Sequence, residues 1–300
     1  MTYLVTGAYG AIGAWSVRAL LDRGHDVVTY DLGGSDHRLR LALSDDEVAD
    51  AVTRVQGDIT DLAQLERTMD EHGVSSVIHL AALQVPFVRE DPVAGASVNV
   101  SGTVNVLEAA RRRGISSPVV YASSIAALPP DGQTYPGTLY GVFKLANEGT
   151  AQRYAEDYGV ASIGLRPHTV YGPGRDQGLT SAPTAAMVAA AKGESYEIPF
   201  GGALQFQYSA DAGEAFVRAS EAQATGASVH NLDGPVVSVP EVIEAIERAA
   251  PEAKGRITAA GDPLPFPPSV DATSFVELVG GPTSRPFGDG VAEAIAAFRS

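Results

Sequence analysis

Tyr140 and Lys144 stand four residues apart in a stretch of helical character, Thr138 to Tyr158, so their side chains project from one face, a turn apart. Upstream, the apolar run Val119-Val120-Tyr121-Ala122 reads as a strand that ends in Ser123-Ser124, where a hydroxyl can close a triangle with that pair. A phenol with its reference pKa near 10 is a poor base at neutral pH. Lowering that value to about 7 takes roughly 4 kcal/mol of preferential stabilisation of the phenolate. A neighbouring ammonium, joined by the positive ring of a bound cofactor, is the kind of arrangement that supplies it. Ser124 would then hydrogen-bond the reacting hydroxyl or carbonyl oxygen. Any surface helix can carry a Tyr and a Lys at this spacing, so the pair gains meaning only from the rest of the chain.

That rest begins at the amino end. Tyr3-Leu4-Val5-Thr6 reads as a buried strand and runs into Gly7-Ala8-Tyr9-Gly10-Ala11-Ile12-Gly13. A helix-like stretch to Arg23 follows, closed by Gly24, and then a second strand, His25 to Tyr30. Glycines at the first turn of a βαβ unit permit close backbone approach to a pyrophosphate and aim a helix N-terminus at its charge. Asp31, ending the second strand, is placed to hold both ribose hydroxyls of an adenosine and to repel a 2′-phosphate, which favours NAD over NADP. Arg38 and Arg40 would weaken that preference if their loop folded back.

Further strands are expected at Val52 to Gln56, Ser76 to His79 and Val160 to Arg166, with a long helix from Asp91 to Arg113 that carries Asn99. Asp58 either accepts from an adenine amino group or ends its strand and caps the helix starting near Asp61, and Ile59 packs on the ring. Leu80-Ala81-Ala82 offer small side chains beside the cofactor. His79 reads as a buried strand residue without a proton-transfer role, and Asp45-Asp46-Glu47 as a solvated cluster with no metal.

Three hundred residues suit one large α/β domain or a domain plus a lobe, with a core that needs no disulfides. The absence of cysteine excludes disulfides, thiolate metal sites and Cys nucleophiles. Met1 to Gly7 has no basic segment leading into an apolar one, so no signal peptide is expected, and no apolar run is long enough to span a bilayer. A formal net charge of −15 disfavours nucleic acid and anionic membranes as partners. A cytoplasmic enzyme with a small-molecule substrate is the expectation.

With those pieces in place, the chain resembles the extended short-chain dehydrogenase/reductase family, in its NAD-dependent epimerase/dehydratase branch. The likeness rests on Gly7-x-x-Gly10-x-x-Gly13, Asp31, Asp58-Ile59, His79-Leu80-Ala81-Ala82, Asn99, Ser123-Ser124, Tyr140-x-x-x-Lys144 and Arg166-Pro167-x-x-Val170-Tyr171-Gly172-Pro173. Asn231-Leu232-Asp233-Gly234, leading into a Ser238 helix, and a closing helix from Gly288 to Arg299 extend it over nearly the whole length. The resemblance implies Tyr140 as general acid/base, Lys144 as its electrostatic partner and ribose ligand, and Ser124 as donor to the substrate oxygen. It also implies a positional part for Asn99 in the catalytic set, nicotinamide contacts after Pro167 that include Val170, and a homodimer built on the helices around Asn99 and Tyr140.

The expected architecture is a doubly wound parallel sheet, Rossmann-like, spanning 1–170, to which segments near 205–235 return, with 171–300 mainly a small C-terminal α/β substrate lobe. Two departures bear on the substrate. Sugar-nucleotide epimerases of this branch usually carry an Arg that grips the diphosphate, yet Phe200 to Asp211 holds no Arg or Lys. Losing that cation forgoes charge-assisted hydrogen bonds of about 1.5–3 kcal/mol each. The dehydratases' acidic pair after the Ser/Thr is replaced by Ile125-Ala126. The loop from Ser124 to Tyr140 is short, and its Pro129-Pro130-Asp131-Gly132 suggests a clipped lid. Candidate substrate residues are Gln84, Ser123, Ser124, His168, Arg175, Gln177 and Thr180. Arg175 either clamps a carboxylate or phosphate or pairs with Asp176. The Pro-rich segment 263–268 is expected over the cleft. The sequence therefore points to hydride transfer between NAD and a secondary alcohol of a sugar, sugar acid or polyol. The alternatives are a nucleotide-sugar (UDP-sugar) 4-epimerase that retains NAD, and a silent NAD-binding sensor that would have been expected to lose Tyr140 or Lys144.

Overall fold

The computed structural model describes residues 1–264 and 266–299, leaving Pro265 of the Pro-rich segment outside the described residues. Twelve strands run in chain order as β1 (Thr2–Thr6), β2 (Asp26–Asp31), β3 (Val52–Gln56), β4 (Ser76–His79), β5 (Val119–Ala122) and β6 (Ser162–Arg166), then β7 (Thr169–Tyr171), β8 (Tyr196–Ile198), β9 (Ala203–Tyr208), β10 (Ala227–Asn231), β11 (Val236–Ser238) and β12 (Ile257–Ala259). Seven form a wholly parallel sheet in the order β10-β6-β5-β4-β1-β2-β3. The order reverses between β1 and β4, and this switch point is where open α/β sheets bind their ligands.

Both faces of that sheet are covered, which is why its strands read as continuous apolar runs. Alternate residues of β1 serve opposite cores. Tyr3 and Val5 pack with Leu20, Phe216 and Phe275 on one side, while Leu4 packs with Leu65, Leu107 and Ala151 on the other. The helix Ser209–Glu221 lies on the helix Ala11–Asp22 so closely that a Cβ on Gly213 would sit 2.5 Å from the Trp15 carbonyl carbon. β10 pairs with β6 from Ala227 to Asn231, so this late segment is part of the main sheet. A third core gathers Met187, Phe200, Phe206, Ile246 and Val291 around a three-stranded β11-β9-β7 sheet, and Tyr171 meets Phe206 edge-on there at 5.8 Å between ring centroids.

Several boundaries differ from the sequence expectation: β2 is shifted one residue onward to Asp26–Asp31, and β6 begins at Ser162 against the expected Val160. β5 stops at Ala122, which leaves Ser123 and Ser124 in the turn beyond it. The long helix expected from Asp91 to Arg113 divides into Pro92–Ala96, a π-helical turn Ser97–Ser101 and Gly102–Arg113. Such π turns widen the helix by one residue and commonly re-aim a side chain near functional sites. The side chain at the centre of this one is Asn99.

Candidate active site

A cavity of about 990 Å³ opens along the carboxyl ends of β1, β2, β4, β5 and β6, at the upper end of the usual size for a small-molecule site. Its floor is made by glycines. Gly7 has φ +67°, and a Cβ there would lie 2.6 Å from the Ala81 nitrogen, so β1 and β4 approach too closely for any side chain. A Cβ on Gly13 would lie 2.3 Å from the Gly7 carbonyl oxygen. The helix Ala11–Asp22 begins at Gly10 with no side-chain cap, so the first amides, from Ala11, Ile12 and Gly13, are left toward the cavity they line.

Asp31 lines the same cavity and accepts from the Tyr9 amide at 3.0 Å. Burial raises its pKa, and the amides of Tyr9, Gly33 and Leu32 oppose that rise. Uncapped amides, glycines that admit no Cβ and a carboxylate at the end of β2 together suit a pyrophosphate and an adenosine ribose. Asp58 and Ile59 lie further along the wall. The Asp58 carboxylate is turned to its own loop, accepting from the Thr60 amide at 2.9 Å, and the helix Leu62–Glu71 is capped instead by Asp61. Arg38 does fold back. It donates to the Tyr9 carbonyl at 3.2 Å, but its guanidinium is occupied by Asp176, while Arg40 pairs with Asp36 and Asp45. The Arg38 charge thus acts on Asp31 as well, though its guanidinium is held by Asp176.

The reacting groups meet at the other end. Thr138 caps the helix Leu139–Tyr158, its hydroxyl accepting from the Gly141 amide at 3.0 Å. A Cβ on Gly141 would lie 2.0 Å from the Ala126 carbonyl oxygen, so only glycine lets this helix approach the turn after β5 closely enough to set Tyr140 beside Ser124. Burial raises the Tyr140 pKa, while the Ser124 hydrogen bond and the positive charge of Arg175 pull it down. Arg175 is thus a second cation acting on the phenol, beside the Lys144 that the sequence places there. The Lys144 ammonium lies 5.6 Å from the Tyr140 ring centroid and donates to the Ala122 carbonyl at 2.7 Å. Burial lowers its own pKa to about 8.

Arg175 lines the same cavity. Its Nη1 donates to Gln84 Oε1 at 3.2 Å and its Nη2 to Thr180 Oγ1 at 2.9 Å, and its buried Nε has no partner. Asp176 turns away to Arg38 and His37, so the Arg175 guanidinium is hydrogen-bonded by neutral groups only, while the Asp176 charge still acts on it from its own ion pair.

Every residue assigned to cofactor or substrate from the sequence lines this cavity, with Gln177 and Thr180 as well. Three side chains are committed in ways the sequence did not reveal. Asn99 lies outside the lining: fully buried, it holds the Leu83 backbone, Nδ2 donating to the carbonyl at 2.9 Å and Oδ1 accepting from the amide at 2.7 Å. The π turn accounts for this aim and makes Asn99 a positioning residue. Ser123 donates to Glu148, which pairs with Arg166 through Nε at 2.7 Å, so its hydroxyl is taken by a buried network. His168 is tied by Nε2 to the Pro267 carbonyl at 2.7 Å, and burial lowers its pKa.

His79, between Thr6 and Thr103, is held neutral with a pKa lowered to about 3 by burial, as befits a strand residue without a proton-transfer part. Residues 129–135 do not line the cavity, so the segment read as a clipped lid covers nothing; Leu264 and Phe266 of the Pro-rich segment do line it. Phe87, Arg89 and Leu179, also in the wall, carried no motif that would single them out. Among the described residues no cluster of His, Asp or Glu could hold a metal ion, and no helix is long and apolar enough to cross a membrane.

The family model described as the NAD dependent epimerase/dehydratase family matches residues 3–232. A UDP-glucose 4-epimerase from Mycolicibacterium smegmatis is 30% identical over 324 aligned residues, covering 100% of this chain and 99% of that protein. The chain spans less than half the length of the Arabidopsis thaliana UDP-glucuronate 4-epimerases it matches, with 34% identity over 185 residues to one of them. Among solved structures, the Thermus thermophilus UDP-glucose 4-epimerase in complex with NAD has a TM-score of 0.83 at 26% identity, covering 100% of this chain and 99% of that one. The L-threonine dehydrogenase from Cupriavidus necator has a TM-score of 0.81 at 25% identity, with coverage of 100% and 99%.

Proposed function

The chain belongs to the NAD-dependent epimerase/dehydratase family, and from that premise we propose that it moves a hydride at a secondary alcohol of a carbohydrate-type substrate that carries an anionic group close to the reacting carbon. It is an enzyme, and its cofactor is NAD. The observation that carries the reading is the guanidinium of Arg175, which faces Tyr140 across the cavity with only Gln84 and Thr180 as partners. A buried cation hydrogen-bonded to no anion is costly, and a ligand carboxylate or phosphate would relieve that cost with paired, charge-assisted hydrogen bonds.

When bound, NAD supplies the hydride acceptor. Ser124 holds the substrate oxygen and Tyr140, which lines the cavity beside it, takes its proton. Burial alone leaves the phenol a weak base, so positive charge has to make up the difference. Arg175 contributes from the substrate side and the Lys144 ammonium, 5.6 Å from the phenol's ring centroid and donating to the Ala122 carbonyl, from the helix side. A sugar acid fits these groups better than a neutral polyol, which would leave Arg175 unpaired.

A UDP-sugar 4-epimerase is the second reading, favoured by the full-length match to the M. smegmatis enzyme. Against it, no Arg or Lys of residues 182–299 lines the cavity among the described residues, so the C-terminal side offers no grip for a diphosphate. A panel of sugar acids, neutral sugars, polyols and nucleotide sugars incubated with NAD, followed by absorbance and by product analysis, decides between them. Activity confined to acids, with the KM raised about ten- to a hundredfold in Arg175→Met and unchanged affinity for NAD, is the expected outcome. Turnover of UDP-sugars without NADH accumulation would establish the epimerase instead. For quaternary structure we propose a homodimer through the helices Gly102–Arg113 and Leu139–Tyr158, on which Val142 and Leu145 stand exposed. Sedimentation at micromolar concentration tests it.

A further inference from the structure

The loop after β7 crosses the cavity on the side of the glycine turn. At Gly174, φ +90°, a Cβ would stand 3.7 Å from the Ala11 Cα and 3.8 Å from the Arg38 side chain, so the loop lies against the start of the helix Ala11–Asp22. It is clasped at two points three residues apart. At one, the Trp15 indole donates to the Pro173 carbonyl at 3.0 Å. At the other, Asp176 accepts from Arg38, through Nη2 at 2.6 Å and Nε at 3.1 Å, and meets His37 Nε2 at 2.9 Å. Arg38 in turn donates to the Tyr9 carbonyl within the glycine turn itself. Burial works against the Asp176 carboxylate, but the bonds from Arg38 and His37 outweigh it and hold its pKa below the usual range. The Asp176 side chain is 44% exposed and that of Arg38 16%.

A half-exposed ion pair of this kind adds little to global stability. Its position gives it another use. The loop it fastens belongs to the substrate side of the cavity, the residues it fastens to belong to the cofactor side, and the uncapped helix amides lie beneath. We propose that Asp176 is a cofactor-retention residue: paired with Arg38 it straps the 172–176 loop over the glycine turn, and NAD leaves only when that pair opens. The inference rests on NAD binding at the glycine turn and not on the identity of the substrate. It bears on whether the reduced cofactor stays bound after one hydride transfer.

The test is the dissociation rate of NADH from the full-length protein, read by its fluorescence on mixing with excess NAD. Asp176→Asn is expected to speed dissociation roughly tenfold or more, the scale of one lost charge-assisted pair. Asp176→Glu should return it to within about threefold of the unaltered protein, by the same scale. Arg38→Met should match Asp176→Asn, and the double variant should be no faster than either. Raising salt should accelerate release from the unaltered protein and leave Asp176→Asn unchanged. If Asp176→Asn does not fold, Trp15→Phe, which loosens the other clasp, is expected to accelerate release by itself. A dissociation rate unmoved by these substitutions, or effects of Asp176→Asn and Arg38→Met that multiply, would overturn the proposal. Failure of every sugar acid as substrate, with these NADH rates as expected, would instead sink the substrate reading alone.

Discussion

The two walls of the cavity are built to different tolerances. The sheet side is crowded with backbone: Gly7, Gly13 and Gly141 each stand where a single added carbon would collide with a main-chain atom at 2.0–2.6 Å. The lobe side is sparse, offering Leu179, Leu264 and Phe266 and the one guanidinium of Arg175. A cofactor that is the same in every turnover can be met by fixed backbone, because backbone positions are set by the sheet and do not depend on rotamers. A substrate has to be told from its analogues, and a few side chains on loops do that.

Substitutions that test this contrast run from large to small effects. Tyr140→Phe removes the proton acceptor and is expected to lower turnover about a hundred- to ten-thousandfold with NAD affinity intact, as measured by steady-state rates and NADH titration. Gly13→Ala drives a methyl into the Gly7 carbonyl, 2.3 Å away, and should abolish measurable NAD binding while costing about 1–3 kcal/mol of stability in a denaturant titration.

Lys144→Met separates function from stability. Its folded pKa, lowered by burial from the ordinary 10.5 to about 8, means that between those values the unfolded chain binds more protons and the NAD-free protein gains stability as pH rises. Below pH 8 the whole penalty, on the order of 3 kcal/mol, is present. The Ala122 carbonyl loses its Nζ partner in the variant, which costs about 1 kcal/mol. Thermal melts at pH 7 should therefore show Lys144→Met more stable by about 2 kcal/mol, a gain that vanishes above pH 10, while its turnover collapses. A variant less stable at pH 7 would show that the ammonium is better solvated than its burial indicates. Leu264→Ala, on the sparse wall, should change KM by only about three- to tenfold and leave NADH binding alone.

The sheet side was readable in the sequence and the lobe side was not, for the same reason. Gly7-x-x-Gly10-x-x-Gly13, Asp31 and Ser124-Tyr140-Lys144 sit at fixed distances from strand ends, and strand and helix periods translate directly into position. Leu179, Leu264 and Phe266 come from segments beyond β7, where a separate core forms around Tyr171, Phe206 and Phe287, and no local pattern announces where they reach the cavity.

Some side chains were legible by place yet not by partner. The residue types of Ser123, Asn99 and His168 invite a substrate role, but each is consumed by a buried network with Glu148, Leu83 or Pro267, and such pairings span 16 to 99 residues. By itself the sequence determined the βαβ units, the glycine floor and the presence of a phenol, an ammonium and a hydroxyl at one strand end, since short-range periodicity and steric demand suffice for these. Tertiary structure alone brought a second cation to the phenol, because the path of a loop is set by long-range packing: Arg175, 35 residues later in number, acts on Tyr140 beside the Lys144 ammonium, which also donates to the Ala122 carbonyl.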